Sequence, residues 1–260
     1  MTASAVGAGS GGEPPARTGS TVIQKAIVLI PALLAPIAVL LGYWTGGRFL
    51  LPILATLAVY PILAILVRRE KHSLAVIASL LWAFSLSGTV ITVTAHDPEG
   101  AAEVVLNGPT YRDEMFDYIR TGHGRETDPG LYLPQHLIHL GAFILLTVLS
   151  GGLFGIALGA VLVGYMSYYV GALAAAGSEP WLAFMFGWPP WAILRVAAYI
   201  MLGVTLARPL LSAIGRHPIP VPPAAGTWYI TCAALLLLDV ILKGLLAPHW
   251  AVLLRPCLGA

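Results

Sequence analysis

Charge is what this sequence has least of. Asp, Glu, Lys and Arg make up 10% of its 260 residues, where an ordinary soluble domain carries about 25%. So few charges cannot cover a globule in water, which excludes a soluble fold. Cysteine is nearly absent as well. Cys232 and Cys257 cannot make a disulfide framework, and no CxxC or zinc-knuckle spacing exists. If the last apolar run is helical, the 25 residues from Cys232 to Cys257 hold the thiols about 37 Å apart at about 1.5 Å per residue, so they do not pair. Basic tracts with interleaved aromatics are missing, which argues against a nucleic-acid partner. Also missing are a GxSxG nucleophile elbow, a Walker A loop, a dinucleotide fingerprint and paired glutamates on a helix, so no common reaction is named.

What is present is apolar. Hydrophobic residues make up 58% of the chain and the mean hydropathy is +0.83, with the apolar residues gathered in runs long enough to cross a bilayer. Lipid must solvate much of the surface. The fold class is therefore all-α, a polytopic membrane bundle of about seven transmembrane helices.

The runs read as follows. Residues 1–20, rich in Gly, Ala, Ser, Thr and Pro, make a disordered tail, and residues 21–260 form a single bundle. The first run, Val22 to Trp44, is too long for the core of a secretory signal and reads as a retained helix. Phe49 to Val67 is the second and Ser73 to about Ala95 the third. Gln135 to Gly177 is too long for one span and breaks at Ser150, Gly151 and Gly152. It reads as helices over about 135–150 and 153–176, or as one broken element, which would reduce the count to six. The aromatic stretch Ser178 to Trp191 is expected at the membrane interface. Trp191 to about Ile214 and Trp228 to Ala247 complete the set.

Charge sets the orientation. Between His96 and Pro134 lie eight of the twelve acids against three arginines, a net of about −5. Arg68, Arg69 and Lys71 between the second and third runs, and Arg208 and Arg216 at the exit of the sixth, belong inside by the positive-inside rule. That reading puts the protein in a cell (inner) membrane, with the N-terminus cytoplasmic, the acidic loop 96–134 outside and the C-terminus outside. Within that loop, Asp97 is expected to cap a helix from Pro98 to near Asn107 and Gly108. Thr110-x-x-Asp113 resembles a capping box opening a second helix that ends at Gly122.

Small residues recur at multiples of four from Gly151: Gly155, Gly159, Ser167, Gly171 and Ala175. That spacing predicts a close helix contact, since packing rather than hydrophobicity must join helices in lipid.

Five ionisable residues fall in the outer half of the spans. His136 and His139 share a face of the fourth helix, Arg195 enters the sixth, and Asp239 and Lys243 stand at i and i+4 on the seventh, spaced for an ion pair with each other. Charged groups inside a membrane are costly and face a bundle interior or wet cavity, which makes the five a candidate outward-facing pocket for substrate binding or proton relay. A metal ion is the one cofactor suggested, held by His136 and His139 with His96 and Asp97 from the same side.

The leading functional reading is a transport or permease-type component using that pocket. A non-catalytic subunit or assembly factor of a larger complex is the second. A metal-dependent membrane enzyme is the third, although HExxH is absent. The partners implied are the lipid bilayer and other membrane subunits or a second copy of the chain.

Overall fold

A backbone N–H or C=O left unpaired in lipid costs several kcal/mol, and a helix satisfies both within one segment, so each long apolar run is helical. The computed structural model describes residues 18–177, 179–216, 218–222 and 224–259, with side chains from residue 26 onward. Ten α-helices occur among them: α1 Thr18–Thr45, α2 Leu50–Arg68, α3 His72–His96, α4 Pro98–Val104, α5 Gly108–Thr121, α6 Pro129–Ser150, α7 Leu153–Ala176, α8 Pro180–Phe186, α9 Pro190–Gly215 and α10 Ala225–Leu254. A 3₁₀ turn, Arg255–Leu258, follows α10, and no strand is found among the described residues. Seven helices (α1, α2, α3, α6, α7, α9 and α10) are long and apolar enough to cross a membrane. The chain is a multi-pass helical membrane bundle.

Several boundaries differ from the sequence reading, each for a local reason. Helix α6 begins at Pro129, not Gln135, because Asp128 caps it by accepting from the Gly130 N–H at 2.8 Å and proline suits the first helical turn. At 22 residues it is a full span. Gly151 (φ 61°) and Gly152 (φ 97°) then reverse the chain between α6 and α7 in a left-handed conformation that glycine adopts freely. Two separate spans result. Asp97 does cap α4, taking the Gly100 N–H at 3.0 Å, but α4 ends at Val104. Helix α5 starts two residues before Thr110, with Pro109 in its first turn and no side-chain cap, so the expected capping box is not formed. Helix α1 starts at Thr18, inside the stretch expected to be tail, and residues 1–17 lie outside the described ones. Helix α10 runs well past Ala247 to Leu254.

Helix α7 lies at the centre, packed by α2, α3, α5 and α6. Its glycines do not act as one stripe. A Cβ on Gly171 would stand 2.6 Å from the Ile91 carbonyl oxygen of α3 and 2.6 Å from Thr94 Cβ, and one on Gly155 would collide with Thr147 Oγ1 of α6. Gly159 has no neighbour within 4 Å of such an atom, and Gly151 caps α6 rather than facing a helix.

Both basic clusters share an end. A Cβ on Gly215 would lie 3.7 Å from the Arg68 guanidinium carbon, which joins the α2–α3 turn to the tail of α9. At the opposite end sit α4, α5, α8 and the 3₁₀ turn. Tyr118 of α5 donates to the Ala247 carbonyl of α10, Arg255 donates to the Ile119 carbonyl at 3.2 Å, and Trp250 donates to the Phe186 carbonyl of α8 at 2.8 Å.

Candidate functional site

The α6, α9 and α10 flank of the bundle carries the buried charges. On α10 the inward face reads Cys232, Leu236, Asp239, Lys243, Ala247, Ala251 and Leu254, the three- and four-residue spacing of one helical stripe. Its two ionisable members are therefore pointed inward by the same pattern that buries their apolar neighbours. Asp239 and Lys243 are each 1% exposed. On α6 the corresponding face carries Tyr132, His136, His139, Leu140 and Phe143. Helix α9 packs against both and contributes Arg195.

Asp239 and Arg195 meet directly. Arg195 Nε donates to Asp239 Oδ2 and Nη2 to Oδ1, each at 2.8 Å, the two-pronged geometry that planar guanidinium and carboxylate groups allow. His136 Nε2 lies 3.8 Å from the same Oδ2. Both ring nitrogens of His136 are buried with no hydrogen-bond partner among the described residues.

Lys243 does not pair with Asp239, which corrects the i, i+4 expectation. Its Nζ lies 3.0 Å from Glu126 Oε1 and 4.6 Å from the centre of the Tyr132 ring, a cation over an aromatic face. Asp239 is already saturated by the better-matched guanidinium, so the ammonium turns to a carboxylate from the loop. Three local features bring Glu126 there. Tyr118 and Arg255 fix the end of α5 above α10. Gly122 (φ 76°) and Gly124 (φ 135°) then turn the chain back in conformations closed to most side chains. Thr127 and Asp128 N–H groups donate to the Gly124 carbonyl at 3.1 and 3.0 Å, leaving Glu126 on the inner side of the turn. Sequence reasoning counted Glu126 only among the loop acids. The one available signal was its position three residues before the Pro129 start of α6.

Four of the five expected residues are thus brought together: Arg195 and Asp239 form one ion pair, Lys243 forms a second with Glu126, and His136 stands beside the first. The fifth, His139, shares the His136 face one turn deeper, is half-buried, and makes no side-chain hydrogen bond or ion pair among the described residues. Beneath lies an apolar layer of Phe143, Tyr199, Leu202 and Cys232, with the Phe143 and Tyr199 rings stacked at 4.8 Å. Tyr111 of α5 packs on Tyr165 at 4.6 Å. Burial pushes its phenol well above the ordinary value, and the nearby Glu126 carboxylate adds to the effect, so it stays a neutral hydroxyl. The charged groups of Asp239 and Lys243 are buried within the cluster. An open cavity of about 490 Å³ lies elsewhere, between α5 and the C-terminal end of α7, with Arg112, Phe116 and Arg120 in its lining.

The expected metal ligands separate. Asp97 accepts from the Tyr43 hydroxyl and the Gly100 N–H at the α3–α4 junction. His96 is beside it, away from His136 and His139. Among the described residues no three His, Cys, Asp or Glu side chains gather to hold a metal ion. Cys232 and Cys257 are both free and buried. Compared with family models, curated proteins and solved structures, the chain matches none.

Proposed function

We infer that the chain is a transport or permease-type membrane component, with the acidic loop and C-terminus outside and the N-terminus inside, in which the Asp239, Arg195, His136 and Lys243 cluster handles a small polar or ionic solute or its coupled proton. The observation that carries this reading is the state of His136. Its imidazole is buried 3.8 Å from the Asp239 carboxylate, yet among the described residues neither nitrogen has a hydrogen-bond partner. A structural histidine in lipid normally has its polar atoms satisfied, because leaving them unpaired is costly. A histidine that gains and loses a proton must be free to form and release such a bond. Protonated, His136 would donate to Asp239 Oδ2 and compete with Arg195, loosening α9 from α10. Neutral, it releases Asp239 back to Arg195. Three helices that separate and rejoin around one buried carboxylate make an alternating device.

The test is proton flux. Purified protein in lipid vesicles holding a pH-sensitive dye, with an imposed membrane potential, is expected to acidify the lumen faster than empty vesicles, and Asp239→Asn is expected to reduce this to background. Wild-type vesicles indistinguishable from empty ones overturn the reading.

One observation favours a second reading, a non-catalytic subunit of a larger assembly. Only 11% of the α6 span is buried within the fold, and Leu137, Ile138, Leu145 and Leu149 face outward. Co-purification in mild detergent of a stoichiometric membrane partner lost on Leu137→Arg supports that alternative.

A further inference from the structure

The charges of the cluster leave one question open: why a loop carboxylate should be sunk beside Lys243. Lys243 is rigidly placed, 1% exposed on α10. Glu126 is not part of any helix. It lies on the short stretch between Gly122 and Asp128, where Arg125 and Asp128 are exposed while the Glu126 side chain is 13% exposed. Arg195 is occupied by Asp239, so Glu126 is the only carboxylate within ion-pair distance of Lys243 among the described residues. A buried ammonium without a counter-charge is strongly disfavoured. Lys243 therefore needs one carboxylate-sized anion at that point, whether the chain or the surroundings supply it.

The chain's own supply comes from a turn and not from a helix, and Gly122 and Gly124 at positive φ start that turn. The Glu126 carboxylate sits on the ammonium at 3.0 Å, and the Tyr132 ring lies 4.6 Å from the same Nζ, so a carboxylate in that position meets one cation beside one aromatic face.

We propose that Glu126 is a tethered stand-in for the substrate, and that the site takes a small monocarboxylate whose head group replaces Glu126 on Lys243 when the 122–128 stretch lifts. The proposal rests on the transport reading and names its substrate class. Net charge is conserved in the exchange, since one carboxylate leaves the ammonium as another arrives. Binding is weakened in the resting protein by the internal competitor, as for any ligand whose site is open only part of the time.

Removing the competitor exposes the site to measurement. Thermal unfolding of the full chain in detergent at pH 7.5 is followed while sodium acetate replaces sodium chloride at constant ionic strength. Glu126→Gln is expected to be stabilised by acetate with an apparent affinity about tenfold or more above wild type. The double variant Glu126→Gln with Lys243→Gln is expected to show no response. Should Glu126→Gln fold only when acetate is present during purification, the result is the same in stronger form. An acetate response in Glu126→Gln no greater than in the double variant overturns the proposal, as does a Glu126→Gln protein that acetate cannot rescue. The flux measurement is separate. Flux without an acetate response removes the monocarboxylate and leaves the transport reading, while an acetate response with no flux keeps the anion site and removes transport.

Discussion

The Arg195 guanidinium holds both oxygens of Asp239, at 2.8 Å each, and so leaves Lys243, one helical turn along the same face as Asp239, to find its carboxylate on the loop between α5 and α6. Breaking one member of a buried pair strands a charge, whereas removing both relieves that cost. Asp239→Asn and Arg195→Met are each expected to destabilise the protein by about 3–5 kcal/mol, and the double variant by clearly less than their sum. Unfolding in detergent across all four proteins checks this. Additive losses would mean that the two side chains are not coupled.

The bundle was legible because lipid imposes a simple rule: an apolar run must be a helix of about bilayer length, and basic turns collect on one side. The site was legible in part. His136, Arg195, Asp239 and Lys243 stand out because a charge in an apolar stretch has few reasons to be there. Their partners were not legible. Helical spacing pairs Asp239 with Lys243, but spacing carries no information about Arg195, 44 residues away, whose planar fork makes the stronger bond. Glu126 was hidden among eight acids of one loop, since only the turn at Gly122 and Gly124 decides which of them faces inward. The glycine series misled for a similar reason. Sequence period places Gly159 beside Gly155, but only the packing of α6 and α3 decides which glycine has a neighbour.

Helix packing gives a graded expectation. Gly171→Ala, whose new atom would stand 2.6 Å from the Ile91 carbonyl oxygen, is expected to cost about 1–3 kcal/mol through overpacking. Gly159→Ala meets open space and removes a flexible residue from a helix interior, so it is expected to be neutral or stabilising by up to about 1 kcal/mol. Melting temperatures in the reverse order would contradict the α3–α7 contact.

Acid should loosen the start of α4. The Tyr43 hydroxyl, and after it the Gly100 N–H, hold the Asp97 carboxyl below the ordinary carboxylate range. Since folding lowers this pKa, its contribution is complete above the ordinary carboxylate value and is lost as pH falls through the lower, folded one. Hydrogen exchange of the Glu99–Val104 amides, corrected for intrinsic rates, is expected to stay protected at pH 5 and to accelerate only in stronger acid. Tyr43→Phe should move that onset to higher pH. Coincident onsets would show that the hydroxyl does not hold the carboxylate.

Orientation is checked by labelling in a background where Cys232 and Cys257 are alanine. A membrane-impermeant thiol reagent applied to intact cells is expected to modify His123→Cys and to spare Glu70→Cys. His123 serves better than Gly122, whose φ of 76° disfavours a side chain. The opposite pattern would turn the cluster toward the cytoplasm.

The most direct test of the central claim separates folding from function at one residue. Among the described residues His136 makes no hydrogen bond through either ring nitrogen, so His136→Gln, similar in size and polar but unable to take up a proton, removes none of the hydrogen bonds seen there. Vesicle flux and melting temperature measured on the same preparations are expected to show wild-type stability with proton flux reduced to the level of empty vesicles. Undiminished flux in His136→Gln at wild-type stability would contradict the claim and leave His136 a packing residue beside a structural ion pair.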